Sequence, residues 1–453
     1  FIVQTLKIIF KNLFKRYVRK IIIKCNKYFI SIYVYAALVI IAVVSLISLL
    51  FYRHEYNKLR YVLEVFNYFG KPNQRSEINC TNNVPMFTKF DMKFEEPLSA
   101  WQRLDDDLYV YSAYNIRDKE IQVIGFGSSN NIKNMQCQIL FENEIEPVLG
   151  SFSYFLIGNN LNSTDKNVNY GGYHFYCAYK TNKVPVGIMF LTKSNLDAHN
   201  IPILPIKSQP HNLNYVNTGV CIAPPLTKPI QSLQMIGFIQ FHDIIGVNNF
   251  IVYDFGIPNQ YNNNFKELFK FQNPYWKFTY TVVPWNFPFP ATHPTIIKDL
   301  IQADCLYRTY NKVRYITTLS WEEYIILRYH HSLIDLMTDF KKSRMKADRY
   351  KLKTLTFCTQ QTDDTTNRNV TFIMFKKLHY DSSIPDNQPI YIYNTHEALN
   401  KNNMYTRDIG KDLVTLNRYQ YCPGKSNLET GTKDTSILRF IEDIQNSQIY
   451  NRE

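Results

Sequence analysis

Val313-Arg-Tyr-Ile-Thr-Thr-Leu319 feeds directly into Ser320-Trp-Glu-Glu-Tyr-Ile325. The first run is rich in β-branched and aromatic residues and reads as a strand. It ends on two acids, Glu322 and Glu323. Carboxylates at a strand end can fix a divalent metal, and such a metal neutralises the charge of a diphosphate leaving group. Glu322 is therefore the expected metal ligand. Ser320 stands where a further acid would strengthen the site. The plainer reading of the pair is two acids opening a helix as partners of its dipole.

Upstream, short apolar strands alternate with helices. Pro229 to Ile245 reads as a helix, with Gly246 suited to its C′ position. Asn249-Phe-Ile-Val-Tyr-Asp254 and Lys277–Val283 read as strands. A second helix is expected from Thr292-His-Pro294 to about Tyr310, with Pro294 near N1. This alternation predicts an α/β sheet, whose ligands sit beyond the C-terminal strand ends. Asp254 and Ser320-Trp-Glu-Glu323 both occupy such ends. Before this region the pattern is strand after strand: Leu108–Tyr114, Ile121–Phe126, Gln136–Phe141, Ser151–Ile157, Gly172–Tyr179 and Val184–Leu191. Pro202 to Tyr215, with three prolines, reads as a linker, and Gln360–Asn369 as a loop. There is no repeat and no Gly-rich phosphate loop.

The N-terminal end sets the compartment. Tyr28 to Tyr52 contains no charged residue. As a helix it spans about 37 Å at ~1.5 Å per residue, enough to cross a hydrocarbon core of ~30 Å with tilt. Before it lie Lys7, Lys11, Lys15, Arg16, Arg19, Lys20, Lys24 and Lys27, with no acid. The positive-inside rule puts that end in the cytosol and makes 28–52 a type II signal anchor. The chain carries a formal charge of +13, but without those eight residues 43 basic stand against 38 acidic. No Lys/Arg-rich element remains in the lumenal part, which argues against a nucleic-acid partner. Seven of the eight cysteines follow the anchor, with no C-x-x-C pair, so disulfides are expected rather than zinc. Seven is odd, so one stays free or pairs between chains, which leaves a disulfide-linked or non-covalent dimer open. Sequons at Asn79, Asn162 and Asn369 fall on the same side.

Several blocks together resemble glycosyltransferase family 92. They are Cys221-Ile-Ala-Pro-Pro225, Gly237-Phe-Ile-Gln-Phe-His-Asp through Tyr253, Asp304-Cys-Leu-Tyr-Arg308, and the strand into Ser320-Trp-Glu-Glu-Tyr324. Tyr109-Val-Tyr-Ser-Ala-Tyr114 with Arg117 resembles the same family's β-rich lead-in. The resemblance implies a GT-A-like, Rossmann-like domain over 216–453. A β-rich lumenal region (98–215), a stem (53–97), the anchor (28–52) and a basic cytosolic tail (1–27) would precede it. It implies a Golgi enzyme with its C-terminal domain in the lumen, transferring a sugar, galactose in the best understood members, from a UDP-sugar to a glycan acceptor with Mn2+. Asp254, Asp304 and Glu323 would then contact the donor and Glu322 the metal. Asp335, His379 and His396 are candidates for the base such a transfer needs, and Trp285 for a stacking face.

The family's strand usually ends in Asp-x-Asp-Glu, whereas Ser320, Glu322 and Glu323 hold those places here. Gly237 stands where the family has an acid, the family's downstream His-bearing block is not evident around Arg407–Cys422, and Arg439-Phe440 replaces a terminal His-Tyr pair. The alternative is therefore a catalytically inactive member that binds glycans or partners an active enzyme.

Overall fold

The computed structural model describes residues 43–45 and 48, 99–158 apart from 106, 143 and 145, 170–192, 201–208, 216–224, 232–254, 278–289, 292–364, 371–384, 388–399, 404–422 and 431–447. The expected tail, stem and three sequons lie outside these residues, as does the expected anchor apart from 43–45 and 48, which are helical. Among the described residues no helix is long and apolar enough to cross a membrane. Phe1–Ser76 and Glu77–Glu453 are separate compact units, and everything below concerns the second.

Its first part is a nine-stranded sheet. The strands are β1 (Gln102–Asp105), β2 (Leu108–Arg117), β3 (Glu120–Ser128), β4 (Gln136–Phe141), β5 (Val148–Leu149), β6 (Ser151–Leu156), β7 (Tyr170–Ala178), β8 (Pro185–Leu191) and β9 (Leu204–Ser208). They run in the order β5-β4-β8-β9-β2-β3-β7-β6, with β1 on β2. Cys137 of β4 is bonded to Cys177 of β7. The six strands read from the sequence are all present. The expected linker is not one, because β9 lies inside it. Leu204 and Pro205 pair with β8, and Ile206–Ser208 pair in parallel with β2. Pro205 sits where the strand changes partners, a place that does not need its missing N–H.

The second part is an eleven-stranded sheet with helices, a mixed α/β arrangement. Its strands are β10 (Val216–Ala223), β11 (Asn249–Asp254), β12 (Thr279–Pro284), β13 (Val313–Ser320), β14 (Glu323–Leu327), β15 (Arg349–Cys358), β16 (His379–Tyr380), β17 (Ile390–Asn394), β18 (Thr406–Asp408), β19 (Val414–Gln420) and β20 (Thr432–Lys433). Four run parallel in the order β12-β11-β10-β13, followed by antiparallel β17 and then β15. The helices that matter are α1 (Ser232–Ile244), α2 (Pro294–Thr309), α3 (Leu333–Lys342) and α4 (Thr395–Leu399). Gly246 terminates the α1 turn at φ +86°, a conformation free of strain only without a Cβ. Pro294 occupies the first turn of α2, and the His293 side chain accepts from the Thr295 N–H.

Strand alternation gives the parallel strands two buried faces. Val220, Ile222, Phe250, Val252, Tyr315 and Leu319 join α1 and α3 in one core. Cys221, Ala223, Ile251, Tyr253, Val283 and Ile316 face the other way, into a core with α2 and with Trp101, Tyr111, Tyr114, Ile124 and Phe126 of the first part. α2 is thus packed between the two sheets, and the Cys221–Cys305 disulfide ties it to β10.

His242 of α1 is fully buried. Its Nδ1–H donates to the Phe238 carbonyl at 2.8 Å, Nε2 has no protein partner, and the ring stacks on Tyr324 at 5.7 Å. Burial lowers its pKa to about 4, below the ~6.5 of an exposed histidine. The folded state therefore prefers the neutral ring. Its contribution is complete above pH ~6.5 and is lost as pH falls toward ~4, by roughly 3 kcal/mol. His242→Phe is expected to flatten the unfolding free energy across that window. An unchanged slope in urea titrations at pH 4.5 and 7 would show that His242 is not the group responsible.

Candidate functional site

β10 opens the parallel set, β11 and β12 follow on one side of it, and β13 lies on the other. The order reverses between β10 and β13, and the crevice beyond the carboxyl ends of such strands is where open α/β sheets take ligands. Ser320, the last residue of β13, is level with Ala223 of β10. Asp254 ends β11 level with Pro284 of β12. Asp254 and the Ser320 turn thus share one edge of the sheet, two strands apart, about 10 Å at ~4.8 Å per strand.

The acids do not open a helix. Trp321 and Glu322 make a turn, and Glu323 is the first residue of β14. Trp321 anchors the turn by packing edge-on against Phe238 at 5.3 Å. The Glu322 backbone carbonyl accepts from the Tyr419 N–H at 2.9 Å. Its carboxylate oxygen Oε2 is buried without a protein partner, as is the Ser320 hydroxyl. Burial, then the adjacent Glu323 charge, push the Glu322 carboxyl up to about 7.

Glu323 has the opposite environment. It is fully buried, yet its Oε2 accepts from Lys298 Nζ at 2.5 Å and from the Ser320 N–H at 2.7 Å, and its Oε1 from Arg418 Nε at 2.9 Å. Burial opposes ionisation, but Lys298 and then Arg418 outweigh it and hold the carboxyl below its ordinary range. Lys298 arrives from α2 and Arg418 from β19, opposite Glu323 in register.

A family model described as Glycosyltransferase family 92 matches residues 217–449, more than half of the chain. The chain belongs to glycosyltransferase family 92. The match opens in β10 and covers the second sheet. No curated protein matches the chain. Among solved structures, UDP-glucose pyrophosphorylase complexed with UDP-glucose is similar over 52% of this chain and 100% of that one, at 9% identity and a TM-score of 0.22.

The residues expected to serve a family 92 site separate into distinct places. Asp254 and Glu322 lie at the carboxyl edge. Glu323, expected to touch the donor, is instead enclosed by Lys298, Arg418 and the Ser320 N–H, because two cations converge on it from inside the fold. Asp304, also expected at the donor, is fully buried on the other side of α2. Its oxygens accept from Ser112 Oγ at 2.5 Å, Tyr114 OH at 2.6 Å, Tyr253 OH at 2.5 Å and Arg308 Nε at 2.9 Å. It joins the two sheets and leaves no face toward a donor. Trp285 packs among Trp101, Tyr111 and Tyr253 and belongs to the core.

The candidate bases also divide. Asp335 sits in the first turn of α3, where its N–H donates to the capping Ser332 hydroxyl at 3.2 Å and its carboxylate accepts from that hydroxyl at 2.6 Å, beside Gly246 at the amino edge of the sheet. His396 of α4 stacks on Tyr310, while its neighbour Thr395 bonds the Val313 carbonyl at the start of β13. His379 lies on the side of Glu323, across β19 and β15 on β16. Two departures from the family pattern have packing reasons. A Cβ on Gly237 would come within 2.7 Å of the Phe372 ring, so an acid there would require that ring to move. Arg439 Nη1 bonds the Leu327 carbonyl at 3.3 Å and Phe440 packs on Phe241 at 5.3 Å, so that pair secures the end of β14.

Lys298 and Arg418 carry the site's buried positive charge, and no motif selects them. The one signal is that Lys298 falls in helical phase with Ile301 and Cys305, on the buried stripe of α2.

Proposed function

We propose that this family 92 member is a glycosyltransferase that binds a UDP-sugar at the carboxyl edge of β10, β11 and β13 and transfers its sugar, with galactose the expected one, to a glycan acceptor. The observation that carries the reading is the Ser320–Glu322 turn. It places two buried oxygens without protein partners at the point where the strand order reverses. Family membership supports the reaction class. Asp254, at the end of β11, is assigned to the uridine or ribose. The membrane anchor and the lumenal orientation belong to the same proposal and rest on the basic tail and the apolar run after it; the Golgi location rests on the family resemblance.

The expected Mn2+ fits the described residues poorly. Among them, no group of three or more His, Cys, Asp or Glu side chains could hold an ion. Glu323 is taken up by two cations, Ser320 offers only a hydroxyl, and Glu322 has a carboxyl that is partly protonated near neutral pH. A resident dication needs several hard, ionised oxygens. The same donor set favours a second reading, an inactive member that binds glycans or pairs with an active enzyme.

The test is UDP-galactose turnover by the full chain in detergent, read as UDP release with and without glycan acceptors, together with donor binding. Asp254→Asn is expected to raise the donor Kd about tenfold, the loss of one hydrogen bond from a charged acceptor. Donor binding without turnover on any acceptor would favour the inactive reading. Wild-type affinity in Asp254→Asn would remove Asp254 from the site.

A further inference from the structure

Lys298 and Arg418 form a cationic pair that a single carboxylate does not satisfy. Both are buried, and Lys298 Nζ and Arg418 Nε meet on the two oxygens of Glu323. Two basic groups thus share one carboxylate. Lysine has three N–H donors and arginine five. Lys298 uses one, on Glu323. Arg418 uses two, on Glu323 and on the Gln388 carbonyl at 3.4 Å. The Ser320 hydroxyl, fully buried beside them, has no partner. Glu322 leaves Oε2 without a protein partner although the two cations are near enough to influence its ionisation. Buried donors and buried charge in excess of their partners are costly unless a ligand completes them.

The pair lies at a particular place in the fold. Lys298 lies near the amino end of α2, a sixteen-residue helix whose dipole adds positive potential there. Glu323 follows directly on the end of β13 at the strand-order reversal.

We infer that Lys298 and Arg418, with the Ser320 hydroxyl, hold the diphosphate of the donor and offset its charge in place of a divalent metal. The inference rests on the donor-site reading above. It assigns to Lys298 and Arg418 the stabilisation of the departing nucleoside diphosphate, and gives Glu322 no ligand role. A fixed ammonium and guanidinium can serve this purpose without a metal by donating directly to phosphate oxygens; burial lowers the pKa of the Lys298 ammonium, and the Glu323 carboxylate against it opposes that shift.

The experiment titrates UDP into the full chain in detergent by calorimetry, once in EDTA and once in excess Mn2+. The expected result is binding in EDTA with a Kd within about twofold of that in Mn2+. Lys298→Met is expected to weaken it at least tenfold, about 1.4 kcal/mol, with Lys298→Arg restoring most of the loss. Glu322→Gln, which removes a nearby negative charge, is expected to tighten UDP several-fold. Glu322 contacts no folding partner through Oε2, so this variant keeps the test valid should Lys298→Met unfold. Binding that requires Mn2+ and disappears in Glu322→Gln would overturn the inference and leave the donor site standing. No UDP binding under either condition would overturn both.

Discussion

Glu323→Gln is expected to cost about 3–5 kcal/mol of unfolding free energy, the range for breaking a buried ion pair by removing one partner. The neutral amide leaves Lys298 and Arg418 in a buried pocket with no opposing charge, and one of its two terminal atoms is a donor where a donor already points. Marginally stable proteins have only ~5–15 kcal/mol in hand, so a large unfolded fraction at 37 °C follows. Urea unfolding of the full chain in detergent, followed by Trp fluorescence, measures it. Glu322→Gln is the contrast. Its unpartnered oxygen gives up no bond, and because burial holds its carboxyl at about 7, the neutral amide is expected to raise stability at pH 7, by up to about 3 kcal/mol. The adjacent carboxylates would then differ sharply in folding, and lost activity in Glu323 variants would report unfolding rather than chemistry. Losses below about 1 kcal/mol for Glu323→Gln would mean that water already solvates the two cations.

Asp304→Asn is the second large effect, again about 3–5 kcal/mol. Asp304 accepts from Ser112 and Tyr114 of β2, from Tyr253 of β11 and from Arg308 one turn along α2. An amide retains one accepting oxygen for these four donors and leaves Arg308 uncompensated. Because the bonds bridge the two sheets, the damage should include loosened attachment between them. Hydrogen exchange should accelerate in β2 and in the second half of α2 while β15 and β19 keep their protection. Asp304→Asn with Arg308→Met should recover part of the loss, since the orphaned charge is then gone. Additive losses in that double variant would show that the pair is not coupled.

Much of the fold is legible along the chain. The β-branched runs at Asn249–Asp254 and Val313–Leu319 need only their own composition and length to read as strands; the first forms with those bounds and the second one residue beyond, to Ser320. Gly246 and Pro294 mark helix limits because each acts through its own backbone geometry. The family itself is legible, carried by Cys221-Ile-Ala-Pro-Pro225, Asp304-Cys-Leu-Tyr-Arg308 and the Ser320 turn, and the family match bears it out. The segment around Pro205 misleads, because three prolines signal a linker while the pairing that makes β9 a strand comes from β2 and β8, far away in sequence.

The site divides in the same way. The sequence places Asp254 and Ser320–Glu323 at strand ends, since that follows from local pattern alone. It cannot say that Glu322 keeps an unpartnered oxygen while its neighbour is consumed. That depends on Lys298, 25 positions before Glu323, and Arg418, 95 positions after it. Nor can it say that Asp304 and Arg308 turn inward, since a helix shows its buried side only once the first sheet packs on it. Local sequence fixes which backbone forms; whether a carboxylate meets solvent, a ligand or two buried cations is a sum of long-range contacts and desolvation, and only the tertiary structure decides it.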